Sequence, residues 1–433
     1  MTPSDYSIMR KPTTPLLCAI AIGLLARGWV ICHASGQAFA VDELLDTLAW
    51  NLATLHQFTL DGVHPAAHVG PLYPMVLAAF YLVVGHHPEW VPLLHVFFDL
   101  GTTWSIYHAA TVLWGSRTGI WAASFVTLYP AYWTYDPRIR SEALLTLLMS
   151  GWLWATIMCS HAPSGRRSAL MGLAAGLTIL CKPVVLVLAV LLGGLIWIRS
   201  KQLVQRISYV AVYGAMCLTL VAPWSVRNYD AFHHMIPVST GVGAGLWMGS
   251  DPISRGSWPM PPEREQFIWE TAGITPLPYA HAMYDVQTDR LLRDKGMSRI
   301  AADPIGYVWL TVTRVWDFWV GNALYLTGDE TGLARGLRTD ATERGWPVAL
   351  YSLAKRVLFI PGLIVVAACS AWIHRERWRD LLPLYVFPVG LTVGYVPFTV
   401  EAGRYALPVL PCFMMLSTAL IPHWKIIRSV LRP

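Results

Sequence analysis

The residues able to do chemistry are few, charged, and placed at the ends of apolar runs. Asp42-Glu43 follows the first run, and Arg138, Arg140 and Glu142 sit within DPRIRSE. Lys182 stands before Pro183, Arg227 lies within PWSVRNY, and Glu401, Arg404 and Tyr405 make up most of EAGRY. Charges among apolar segments are costly and mark function or pairing. Two acids with several cations on one face fit a site that binds an anionic headgroup and uses a carboxylate as general base.

Each cluster also has a simpler local reading. Asp42 to Gln57 reads as an amphipathic interfacial helix with Leu44, Leu48, Leu52 and Leu55 on one stripe. Acids at its start also complement the helix dipole. Asp42 and Glu43 point about 100° apart, whereas Asp42 and Asp46 share a face. Glu142 doubles as a first-turn acid behind a Ser141 cap, Lys182 as a snorkelling lysine, and Arg227 as an interface anchor. Glu401 and Arg404 fit an i,i+3 ion pair. Gly241-x-Gly243-x-Gly245 is not in a strand-turn-helix setting and reads as a flexible loop rather than a dinucleotide fingerprint. Pro65 interrupts the spacing of His64 and His68, and His86-His87 adds no ligand set, so the histidines define no metal site. The tryptophans Trp247, Trp258, Trp269, Trp316 and Trp319 suit interface anchoring or sugar stacking. Cys18, Cys32, Cys159, Cys181, Cys217, Cys369 and Cys412 all fall in apolar stretches with no C-x-x-C. They imply neither a disulfide framework nor a thiolate zinc site.

The elements that must hold these groups follow from composition. Of 433 residues, 55% are hydrophobic and 13% charged, against roughly a quarter charged in soluble domains. Mean hydropathy is +0.45. This excludes a soluble enzyme, a disordered tail protein and a nucleic-acid binder, and predicts an all-α polytopic membrane protein. The net charge of +6 needs no acidic partner, because cytoplasmic loops are enriched in Lys and Arg. Apolar runs occur near 14–34, 70–85, 91–114, 118–135, 141–160, 168–181, 183–198, 207–225, 305–327, 350–373, 381–399 and 404–423.

Charge decides which runs span. With ten spans and a cytoplasmic N-terminus, Arg10, Lys11, Arg117, Arg166, Arg167, Arg199, Lys201, Arg206, Arg375, Arg377, Arg379, Lys425, Arg428 and Arg432 all lie inside, fourteen of the 32 basic residues. A spanning 70–85 would turn the Arg pairs from 115 to 206 outward, against the positive-inside rule. Runs 70–85 and 305–327 are therefore expected to lie at the outer interface or to dip in and out. Residues 168–199 would be about 48 Å long as one helix, too long for a single span. They predict a hairpin of short helices turning at an outer Lys182. Residues 14–34 read as an uncleaved first span, with cleavage after Ala38-Phe39-Ala40 as the alternative.

The predicted organisation is a transmembrane module over 1–225 with a first outer loop at 35–90, an extracytoplasmic segment over 226–349, and C-terminal helices over 350–433.

In this setting the motifs resemble the GT-C membrane glycosyltransferases, nearest to the bacterial family 39 / dolichyl-phosphate-mannose-protein mannosyltransferase-like group, which includes the aminoarabinose transferase. The resemblance rests on Asp42-Glu43, PAAHVGPLYPMVLAAFYLVVG (65–85), WGSRTGIWAASFVTLYP (114–130), Ser141-Glu142, APWSVRNYDAFHHMIPVSTGVGAGLWMG (222–249) and EAGRYALPVLP (401–411). These occur in the family's order and leave about 250–345 unmatched. Leu44-Leu45 stands where relatives carry aromatic or polar residues, and Gly403 loosens the turn before Arg404-Tyr405.

The resemblance implies a GT-C-like fold and a polyprenyl-phosphate sugar donor. It further implies a glycan, lipid or protein acceptor and chemistry on the outer face of what is expected to be a bacterial inner membrane. It makes Asp42, with Glu43 beside it, the base, and Glu142 the second acid. Lys182, Arg227 and Arg404, with Tyr405, become the donor-phosphate residues. Arg138, Arg140 and Glu401 are further outer-face candidates. Some members bind a divalent metal, which stays open here without a ligand set. One base opposite one leaving group implies inversion, by analogy with the two-carboxylate logic of glycosidases. The competing class is a transporter, or a flippase of lipid-linked sugars: Lys182-Pro183 breaks a helix as transporters do, yet no internal repeat is visible.

Overall fold

The structure, a computed structural model, describes residues 14–33, 43–252, 286–319, 360–399 and 404–421. The described residues are helical, with one isolated bridge between Thr59 and Pro65.

Helix α1 (Thr14–His33) leads to α2 (Glu43–Leu55) and α3 (Leu72–Val84), followed by α4 (Val91–Trp114), α5 (Ser116–Leu128), α6 (Pro130–Tyr135) and α7 (Glu142–His161). Then come α8 (Gly165–Cys181), α9 (Leu186–Arg199) and α10 (Leu203–Phe232). Next are α11 (Val242–Ser250), α12 (Val286–Ala302) and α13 (Pro304–Trp319). The last three are α14 (Leu363–Ile373), α15 (Trp378–Tyr395) and α16 (Leu410–Thr418). Helices α1, α7 and α10 are each long and apolar enough to cross a membrane, and shorter apolar helices accompany them. The chain is an integral membrane protein.

Local sequence sets the breaks. Gly115, at φ 89°, turns α4 back along α5. Lys182 is extended (φ −147°, ψ 100°) and Pro183 opens a single 3-10 turn, so the apolar stretch 168–199 splits where the sequence predicts. Helix α10 lies in the mouth of the resulting hairpin. Gly172 and Gly176 let its backbone come close, since a Cβ at Gly172 would collide with the Tyr213 carbonyl and one at Gly176 would lie 3.0 Å from that of Cys217. Small residues four apart are how membrane helices reach close contact. Across the mouth, the Tyr213 hydroxyl donates to the Ala189 carbonyl of α9 (2.9 Å).

The bundle has two chemically distinct ends. At one, Arg377 donates to the Leu113 carbonyl (3.0 Å), Arg199 to that of Arg379, Arg206 to that of Ser200 and Arg167 to that of Ala162. The loops predicted to be cytoplasmic thus gather at a single basic end. At the other end stand Glu142, Lys182 and the 404–406 turn. Helix α3 starts and finishes there. Tyr73 pairs with His95 near the start of α4 (2.9 Å), Gly70 rests on the Leu180 and Cys181 carbonyls, and Gly85 is a few residues from Val91. It crosses the bundle end rather than passing through it, as the charge argument predicts.

Two local readings need correction. Helix α2 buries Leu45, Leu48, Ala49 and Ala53 and leaves Leu55 exposed. Its inner face is therefore rotated from the predicted Leu44/48/52/55 stripe, because it packs on α3. Gly241, at φ 104°, is the cap of α11 rather than part of a flexible loop. One carboxylate oxygen of Asp289, on α12, accepts from the backbone N–H of Gly241 (2.9 Å), Gly243 (2.9 Å) and Ala244 (3.1 Å). Burial raises the pKa of the Asp289 carboxyl although these three N–H groups favour its charged form. Helices α11 to α13 form a cap at the Glu142 end. Arg314 of α13, fully buried, donates to the Val396 (2.6 Å) and Phe398 (3.1 Å) carbonyls and to that of Gly249.

Candidate active site

Glu142 is the first residue of α7 and is 5% exposed. Its Oε1 accepts from Arg404 Nε at 2.6 Å. Its Oε2 is buried without a hydrogen-bond partner among the described residues. Lys182 and Arg140 lie close enough to add their positive field to that of Arg404 at this carboxylate. Tyr405 is the platform of the cluster. Its ring stacks on Tyr395 at 4.2 Å and 13°, with Lys182 Nζ 5.8 Å and Arg404 Cζ 5.6 Å from its centroid, within cation–π reach. Residues 142, 182, 404 and 405 are brought together from three separate stretches by the start of α7, the break after α8 and the turn before α16. A buried acid with one oxygen spoken for, ringed by cations beside stacked aromatics, can hold an anion and direct a hydroxyl.

The other predicted residues that are described make different contacts. Arg227 donates to the Ala66 (2.8 Å) and Phe58 (3.2 Å) carbonyls and lies 4.8 Å from the Trp224 ring centre. It fixes the first loop to α10. Arg138 stands 5.0 Å over Tyr135, and Glu43 is exposed in the first turn of α2. Asp42 and Glu401 lie outside the described residues.

The sequence reading missed three groupings. Arg27 joins Asp99 and Asp136 in a buried ion triad. Asp46, one turn after Asp42, accepts from the Tyr81 hydroxyl at 2.5 Å and pairs with His86 Nε2 at 3.0 Å, where Trp50 stacks on the imidazole at 4.5 Å. Asp61 gathers the Val63 and His64 N–H groups, the Thr59 hydroxyl and His64 Nδ1 (2.6 Å). The His64 ring and these N–H groups hold its carboxyl well below the usual carboxylate range. The signal for the first was present: opposite charges inside two apolar runs pair with each other.

Among the described residues no group of three or more His, Cys, Asp or Glu could hold a metal ion. Glu142 is ringed by cations, so the described residues of this cluster do not fit a divalent ion.

A model of the dolichyl-phosphate-mannose-protein mannosyltransferase family matches residues 64–226. That stretch, less than half the chain, holds Glu142 and Lys182. The fold matches the Archaeoglobus fulgidus oligosaccharyltransferase in complex with zinc and sulfate, with TM-score 0.53 and 10% identity over 96% of this chain and 51% of that one. The apo form of the same enzyme also gives 0.53 and 10%, over 98% and 52%. ArnT from Cupriavidus metallidurans, bound to undecaprenyl phosphate, gives 0.45 and 13%, over 96% and 63%. The chain spans about half the length of the oligosaccharyltransferase. No curated protein matches it. The architecture is the GT-C fold, and the resemblance read from the motifs holds at the level of that fold and of the matched segment.

Proposed function

We propose that this chain is a glycosyltransferase that moves a sugar from a polyprenyl-phosphate donor to a hydroxyl acceptor, with inversion, at the Glu142 end of the bundle. That end faces away from the cytoplasm, because the basic loops collect at the other, and the membrane is a bacterial inner membrane with both termini cytoplasmic. The observation that carries the reading is the buried Glu142–Arg404 pair with Lys182 beside it, at the end capped by α11 to α13. The matched family's name supports a prenyl-phosphate donor.

Lys182 and Arg404 hold the donor phosphate, with Tyr405 fixing both cations from below. As the acceptor oxygen bonds to the anomeric carbon, the bond from that carbon to the phosphate oxygen breaks. The electron pair leaves with the polyprenyl phosphate, whose growing charge the two cations neutralise. The acceptor proton passes to the carboxylate of Asp42, the base by resemblance. Glu142, through its second oxygen, orients the acceptor. Arg227 braces the first loop that carries Asp42.

The test is transfer by purified protein from a radiolabelled polyprenyl-phosphate sugar to a hydroxyl acceptor. Release of polyprenyl phosphate is expected, with Asp42→Asn slower by about a hundredfold or more, the scale of losing a general base. Lipid-linked sugar crossing proteoliposomes intact, with no release, would instead mark a flippase. Asp42→Asn with wild-type turnover would remove the base assignment.

A further inference from the structure

Arg27 lies well inside α1 and is 2% exposed. Its Nη2 and Nε donate to Asp99 Oδ2 of α4 at 2.7 and 3.1 Å, and Nη1 donates to the Thr127 carbonyl of α5 at 2.8 Å. Its Nε also lies 3.1 Å from Asp136 Oδ2, in the turn after α6. One guanidinium therefore hydrogen-bonds Asp99 and lies at ion-pair distance from Asp136, two carboxyl groups from different parts of the chain. Asp136 is held a second time through its main chain: its carbonyl accepts from His95 Nδ1 at 2.9 Å. A carbonyl only accepts, so the proton sits on Nδ1, and Nε2 of a neutral ring takes the Tyr73 hydroxyl proton at 2.9 Å. Six residues after this doubly held aspartate, across Pro137 and the fully buried Ile139, comes Glu142.

A guanidinium buried between two carboxyl groups is an expensive way to make a core. Well-packed apolar residues of similar volume are often as stable or more so. What the triad supplies is geometry: the guanidinium fork fixes the Asp99 carboxylate in direction as well as distance, and its Nε holds Asp136 Oδ2 at 3.1 Å. We propose that Arg27 is a positioning residue: through Asp136 it sets the 136–141 strap and so places Glu142 against Arg404. This assigns a role to a group remote from the cluster, and it rests on the reading of Glu142 as part of the transfer site.

Two readouts test it, one independent of the reaction. Dicyclohexylcarbodiimide labelling of Glu142, read by peptide mass spectrometry, is expected to rise several-fold in Arg27→Leu as the carboxylate leaves Arg404. Arg27→Lys, which keeps the charge but loses the fork, should give an intermediate rise and decides the matter if the Leu variant does not fold. In the transfer assay both variants should lose kcat, by on the order of tenfold or more for Leu given how steeply rate falls with misplacement, with little change in donor KM. Leu16→Ala, which disturbs the same helix where it packs on Tyr107 and Ala123, is the control and should lower Tm without raising labelling. Unchanged Glu142 labelling in both Arg27 variants, or a kcat loss in Leu16→Ala matching theirs at equal Tm, would overturn the proposal. Raised labelling in a protein that transfers no sugar would support the positioning role while removing the transferase reading.

Discussion

Glu142 and Arg404, 262 residues apart in sequence, meet at 2.6 Å in a buried ion pair that leaves one carboxylate oxygen without a partner among the described residues. The pair ties the start of α7 to the turn before α16, so one contact joins the N-terminal and C-terminal parts of the bundle at the candidate site.

Arg404→Ala leaves a buried carboxylate unpaired and is expected to lower stability by about 3–5 kcal/mol. Glu142→Gln in the same chain removes the uncompensated charge and should recover part of the lost Tm. In the transfer assay neither variant should approach wild-type turnover. Thermal melts of the two single variants and the double variant check this. Simple additivity of the Tm losses would show that the two side chains are not coupled.

Lys182 and Arg227 were expected to share the donor phosphate, and their surroundings separate them. Lys182→Ala should raise donor KM by roughly ten- to a hundredfold, the worth of about 1.5–3 kcal/mol for a hydrogen bond to a charged group. Arg227→Ala should leave donor KM nearly unchanged. It should instead speed amide exchange over 58–66, whose carbonyls it holds. Kinetics paired with hydrogen exchange distinguish the two, and a large KM effect at Arg227 would return it to the phosphate.

The Asp61 loop has a defined pH response. Its carboxyl titrates below the ordinary value because the His64 ring and the neighbouring N–H groups favour the ionised form. A lowered folded pKa gives stability that is fully present above the unfolded value, about 3.9, and is lost as pH falls through the folded one. The 59–64 turn should therefore hold its exchange protection through the mildly acidic range and lose it only in stronger acid. Asp61→Asn should abolish that dependence. Loss of protection at pH 5 to 6 in the wild-type chain would contradict it.

The sequence disclosed more of the frame than of the contacts. Lys182-Pro183 marks a break because no helix continues through that pair, and charge alone laid α3 across the bundle end. Glu142, Lys182, Arg404 and Tyr405 could be gathered because each closes or opens an apolar run. The face of α2 was misjudged by a rotation, since the leucine stripe does not say whether the helix meets lipid or α3. The bracing contacts of Arg227 were not foreseen because these partners are backbone carbonyls, which no side-chain pattern announces. Arg27 and Asp99 were visible as opposite charges within apolar runs. Asp136 was not, since its ion pair depends on a turn that only the folded chain closes.

Asp289 closes the start of α11 to other anions. The exposed amides of a helix start are the usual cradle for a ligand oxyanion, and at α11 a carboxylate of the chain itself already occupies them. An incoming diphosphate or monoester would have to evict it. In the proposed function the donor phosphate at this end is met, among the described residues, by the Lys182 and Arg404 side chains rather than by helix-start amides.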